Sequence, residues 1–114
     1  YVEQHGLRIV DTRRIRVETF AQVVDSHMGR TPDLVSLDVE GLELDILRTI
    51  DFSKHRPHVF CIETLSYAGG DRSGVKNSEI HALMLENGYL LHADTYINSI
   101  YVALSSWRTL GGKR

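Results

Sequence analysis

The segment Asp33-Leu34-Val35-Ser36-Leu37-Asp38-Val39-Glu40-Gly41-Leu42-Glu43 constrains this chain more than any other. An apolar run of the kind that fills a buried parallel strand ends on two carboxylates, turns at Gly41 and continues into a helical pattern carrying a third acid. In open α/β sheets, ligands bind in the crevice beyond the carboxyl ends of the strands. The segment therefore predicts an α/β fold and makes Asp38 and Glu40 candidates for chemistry.

A second run follows the same logic. His58-Val59-Phe60-Cys61-Ile62-Glu63 is apolar and ends on an acid, and Leu42, Leu44, Ile46, Leu47 and Ile50 between the two runs keep a helical period. Two strands joined by a helical crossover lie parallel, with their carboxyl ends on one edge. Glu63 and Thr64 are thus expected beside Asp38 and Glu40. Upstream, residues 1–5 read as a helix tail closed by Gly6, and residues 9–10 and 15–17 as short extended pieces. Thr19 and Gln22 form a capping-box pattern opening a helix over residues 20–28. Downstream, residues 66–77, with Gly69, Gly70 and Gly74, read as a flexible surface loop. Ser78 caps a helix whose buried face is Ile80, Leu83 and Met84, and Asn87-Gly88 stops it. Strands over residues 89–92 and 100–104, joined by a turn around residues 94–99, make an antiparallel pair. This organisation predicts one domain over residues 1–104 and a polar, frayed tail over 105–114.

Composition limits the classes open to such a chain. With 114 residues, 42% of them hydrophobic, it buries a small core but not that of a complete doubly wound enzyme. A net charge of −2 argues against bulk neutralisation of nucleic acid. No apolar run is long enough to span a bilayer. The single cysteine, Cys61, excludes an internal disulfide and fits a reducing, cytoplasmic setting. Because the chain begins at Tyr1, we expect a fragment with residues upstream.

The ordered set of motifs resembles the FkbM branch of the class I S-adenosylmethionine-dependent methyltransferases. The resemblance rests on Pro32 through Gly41 with Glu43 and Leu47, Arg56-Pro57-His58-Val59 leading into Cys61-Ile62-Glu63-Thr64, Asn87-Gly88-Tyr89, and Asp94-Thr95 before Asn98-Ser99-Ile100. It implies the C-terminal half of a Rossmann-like methyltransferase sheet, parallel strands followed by a final antiparallel pair. It also implies S-adenosylmethionine as methyl donor and a hydroxyl on a small molecule, glycan or lipid as acceptor. Carried onto these positions, it places Asp38 and Val39 at the cofactor, Asp38, Glu40 and Glu63 at the chemistry, and Thr64, Tyr67 and Asn98 at the acceptor. The family's glycine-rich first loop and ribose-binding acid have no counterpart here. We therefore expect the first half of the fold to lie outside this sequence and activity to require it.

Each assignment has a structural alternative. Asp38 can cap the helix after Gly41, with Glu40 and Glu43 meeting its dipole, and Glu43 is assigned to that helix. Glu63, at the end of a buried strand, needs a partner, whether a metal, a substrate hydroxyl or a backbone amide. Tyr67 and the glycine loop are either a lid or a solvated connection, and Asp94, Thr95 and Asn98 are explained by turn chemistry as well as by an acceptor pocket. Pro57 separates His55 from His58, and nothing completes a zinc set, so no metal ligand is assigned. Cys61 reads as a small core residue. Two other functions compete. One is a hydrolase holding a divalent metal on Asp38, Glu40 and Glu63. The other is a truncated, non-catalytic remnant that binds a partner, or itself, through an exposed sheet edge.

Overall fold

The computed structural model describes residue 6, residues 8–66 and residues 74–111. The helix read from Thr19 and Gln22 begins as α1 (Phe20–Val23). Thr19 Oγ1 accepts from the Gln22 amide at 3.3 Å, and Gln22 Oε1 accepts from the Thr19 amide at 2.8 Å. It then widens into a π-helical turn, Val24–Met28, closed by left-handed Gly29. After the turn at Pro32 come β1 (Leu34–Leu37), α2 (Glu43–Arg48) and β2 (Val59–Glu63), the predicted crossover unit. The strands pair in parallel, from Leu34 opposite Val59 to Leu37 opposite Ile62.

The rest of the chain returns to β2. A short ladder, β3 (Leu65–Ser66) with β4 (Val75–Lys76), precedes α3 (Ser78–Glu86), and β5 (Tyr89–Asp94) turns into β6 (Asn98–Ala103). Strand β6 lies antiparallel between β2 and β5, so the sheet runs β1-β2-β6-β5 and is part parallel, part antiparallel. Residues 66–77 are thus not wholly loop, because Ser66 pairs with Val75 and the preceding Leu65 with Lys76. Asn77 rather than Ser78 is the cap of α3, its side chain accepting from the Glu79 and Ile80 amides.

Two other expectations change. Residues 105–111 of the segment read as a frayed tail lie in α4 (Leu104–Gly111), and that segment's last three residues lie outside the described ones. The Leu104 amide donates to the Gly88 carbonyl at 3.0 Å, and the Trp107 ring meets His92 at 5.1 Å, so contacts with the sheet outweigh the segment's polarity. Residues 9–10 and 15–17 have the side-chain preference of strands but pair with no strand among the described residues, and they form no regular structure. The helix tail expected at residues 1–5 lies outside the described residues, as do Tyr67, Gly69 and Gly70.

The core sits on one face of the sheet. Phe60, Ile62 and Tyr101 point there with Leu37, and meet Leu47 of α2 and Ile80 and Met84 of α3. Phe52, Phe60 and Tyr89 form a cluster of tilted and edge-to-face rings with centroids 5.3–6.1 Å apart. The Tyr89 hydroxyl donates to the Pro57 carbonyl at 2.8 Å, which satisfies the one polar atom of that cluster, and burial pushes the hydroxyl up to about 12. This packing fixes the carboxyl ends of β1 and β2 side by side. No helix among the described residues is long and apolar enough to cross a membrane.

Candidate functional site

Register builds the site. Extending the β1–β2 pairing one step beyond Leu37 and Ile62 sets Asp38 beside Glu63, and β6 places Asn98 opposite Glu63 on the other side. Side chains at corresponding register positions share one face, so Asp38, Glu63 and Asn98 form a row across the sheet's edge. It is the face opposite the core.

The third acid does belong to the helix, as the sequence reading has it, but not to its wetter side. Glu43, read as an exposed helix residue, is 5% exposed, and its carboxylate turns back to accept from the Val39 amide at 2.7 Å and the Gly41 amide at 3.0 Å. Those two amides belong to the turn between β1 and α2 and have no ladder to join, so a buried carboxylate satisfies both. Asp38 is therefore not the cap of α2; the cap position is Leu42, without a side-chain cap bond. One carboxylate oxygen from each of Asp38, Glu43 and Glu63 lies within 4.8 Å of the others. The signal for Glu43 was its spacing, two residues beyond a glycine whose turn leaves amides unpaired.

Glu40 is exposed, in the left-handed region at φ 56°, and Gly41 follows at φ 103°. The turn thus carries a non-glycine residue in an unfavourable conformation, a strain of the kind that gathers at functional edges. Glu40 lies outside the close trio, but its charge still reaches Glu63. Val39 contributes its amide to the Glu43 clasp. Thr64 alternates to the core face, where it is 2% exposed and its Oγ1 accepts from Lys76 Nζ at 3.0 Å. Lys76, inside the stretch read as loop, was not anticipated.

The electrostatics single out Glu63. Loss of solvent is the largest cause holding its carboxyl above the usual 4.5; next come a side-chain hydrogen bond with Asp38 and the negative charges of Asp38, Glu40 and Glu43. Among the described residues none of these four acids has an ion pair with a lysine, arginine or histidine. A folded-state value raised above the unfolded one stabilises most at low pH, and that contribution is lost as pH rises from 4.5 through the folded value. Glu63→Gln, which cannot ionise, is expected to exceed the parent in stability at neutral pH by about 0.5 kcal/mol after solvent screening. Urea titrations should show the gap closing below pH 4.5. A gap that is constant with pH would contradict this.

An edge with converging carboxylates and no ion-paired cation among the described residues can hold a positively charged group and accept a proton from a hydroxyl. A metal fits less well. Both oxygens of Glu43 are engaged by backbone amides, which leaves Asp38 and Glu63 as the ready ligands where a hard divalent ion takes six or more oxygens.

No curated protein and no solved structure matches the chain. Residues 3–91 match the Methyltransferase FkbM domain, a span that contains β1, β2, Asp38, Glu43 and Glu63. The chain belongs to the FkbM methyltransferase family.

Proposed function

We propose that the Asp38–Glu63 edge is the reaction centre of an S-adenosylmethionine-dependent O-methyltransferase built on a Rossmann-like sheet. The observation that carries the reading is a row of carboxylates without an ion-pair partner among the described residues, at the end of two parallel strands, in a chain of this family. When bound, S-adenosylmethionine supplies an electrophilic methyl group on a positively charged sulfur. The residues fit it, because the donor's sulfonium and ammonium are the kind of charge the row lacks.

Asp38, held in place by the Glu43 clasp of the neighbouring turn, binds and orients the cationic end of the donor. Glu63 receives the proton that the acceptor hydroxyl releases as its oxygen forms the new bond to carbon. A carboxyl raised above its usual range is the better base at neutral pH, since proton affinity rises with pKa while the group stays ionised. Asn98 lies next in the row and orients the acceptor oxygen by hydrogen bonding. The Val39 amide is engaged by Glu43, so its part is to keep the turn in shape. Tyr67, outside the described residues, is kept as an acceptor contact on the family resemblance.

Methyl-transfer assays with labelled donor test the base. Glu63→Gln is expected to lower kcat about 100-fold with little change in the donor's KM, the size and pattern of a lost general base. An unchanged kcat would remove Glu63 from the chemistry.

The same topology bears on association. Among the described residues strand β1 has a neighbour on one side alone, and Leu34 on it is 60% exposed. An open edge of this kind pairs readily with another chain. We expect concentration-dependent self-association in sedimentation; a monomer across the accessible range would contradict it.

A further inference from the structure

The rung that sets Glu63 opposite Asn98 is bridged on its other face. Thr64 and Ser99 follow Glu63 and Asn98 in the chain, so strand alternation turns them to the core side. They are diagonal neighbours across that rung, since Ser99 pairs with Ile62 and the Thr64 amide donates to the Ile97 carbonyl at 3.0 Å. Both are buried, and their hydroxyl oxygens lie 2.7 Å apart. The contact ties β2 to β6 directly behind Glu63 and Asn98.

Lys76 fastens this bridge. Its ammonium donates to Thr64 Oγ1 at 3.0 Å and to Ser99 Oγ at 3.3 Å, and pairs with Asp94 Oδ1 at 2.9 Å. Asp94 ends β5 opposite Ser99, and Lys76 is set in β4 opposite Leu65. The Asn77 amide donates to the Thr64 carbonyl at 2.7 Å, so backbone bonds hold the lysine's strand against the end of β2. The hydrogen bond from Lys76 keeps the Asp94 carboxyl below the usual carboxylate range, and it is ionised at neutral pH. One side chain thus joins the ends of β2, β5 and β6 at the rung that carries Glu63 and Asn98. Two buried hydroxyls satisfy each other without an ammonium, and drawing a charge to them costs solvation. Fixed geometry accounts for that cost better than stability does.

We propose that Lys76 is a positioning residue, whose clamp on Thr64 and Ser99 fixes Glu63 and Asn98 at their spacing through the peptide bonds that join each pair. Its part in the reaction rests on the methyl-transfer reading; its hold on the rung does not.

The test compares the parent with Lys76→Met, which keeps the stem and loses the ammonium, by amide exchange and by carbon-detected titration of the Glu63 carboxyl. Exchange of the Thr64 amide is expected to quicken about tenfold, the size of a lost hydrogen bond to a charged group. The Glu63 midpoint should fall toward 4.5, because a loosened rung weakens the hydrogen bond with Asp38. The sign is diagnostic. Removing a cation that acted through its charge alone would raise the midpoint. Ser99→Ala takes away one arm of the clamp in a smaller change; it should move both readouts the same way, and it carries the test if the lysine variant does not fold. Unchanged exchange, or a midpoint that stays or rises, would overturn the proposal. In methyl-transfer assays Lys76→Met should lower kcat about tenfold or more with the donor's KM unchanged, as misplacement of a reacting group does. Parental kcat would remove Lys76 from the reaction. Altered exchange and midpoint, in a protein whose parent transfers no methyl group, would leave the clamp standing and remove the methyl-transfer reading.

Discussion

Asp38→Ala is expected to lower methyl transfer by about 100- to 1,000-fold, the range seen when a preorganised electrostatic contact to the reacting centre is removed. The fold should survive. Asp38 lies one residue beyond β1, is exposed, and is not the cap of α2, so its loss takes a hydrogen bond only from Glu63, which is itself partly open to solvent. Stability should in fact rise slightly at neutral pH, because Asp38 is one of the charges that hold the Glu63 carboxyl up. Activity and thermal unfolding measured on the same preparation decide the matter. Near-parental turnover would make Asp38 structural, and collapse of the fold would show that it has a buried role.

Glu43→Ala should act in the opposite sense, through the fold. The change removes a buried carboxylate that accepts from two turn amides, and leaves both amides without a described partner. A loss of about 3 kcal/mol is expected from hydrogen bonds to a charged group. In a domain of this size that lowers Tm by about 12–20 °C. Glu43→Gln keeps one accepting oxygen and should lose about half as much. Amide exchange at Val39 and Gly41 should speed up in both variants, and methyl transfer should fall because Asp38 hangs on the same turn. Melting within 2 °C of the parent, about the effect of a few tenths of a kcal/mol, would show that the clasp does not hold the turn.

Much of the scaffold was legible because hydrophobic period and topology leave few choices. The β1–α2–β2 unit, its parallel pairing and the β5–β6 hairpin follow from apolar runs and turn residues, and with them the meeting of Asp38 and Glu63. What escaped depended on partners distant in sequence or on backbone groups. An acid in a first helical turn reads as a dipole partner whether or not it folds back onto amides, so Glu43 was placed on the helix but its clasp on the turn was missed. Lys76 sits in a glycine-rich stretch without period, and its meaning comes from Thr64, Asp94 and Ser99. The α4 segment is polar in sequence, and its helix depends on docking against the sheet. Residues 15–17 alternate as a strand does, yet alternation without a neighbouring strand builds no ladder.

The central claim is that Asp38 and Glu63 share one edge and sense each other's charge. Carbon-detected magnetic resonance of the Glu63 side-chain carboxyl as a function of pH, in the parent and in Asp38→Asn, tests it most directly. The account predicts a Glu63 midpoint above 4.5 in the parent and a clear fall in the variant. A midpoint near 4.5 in both proteins would contradict it.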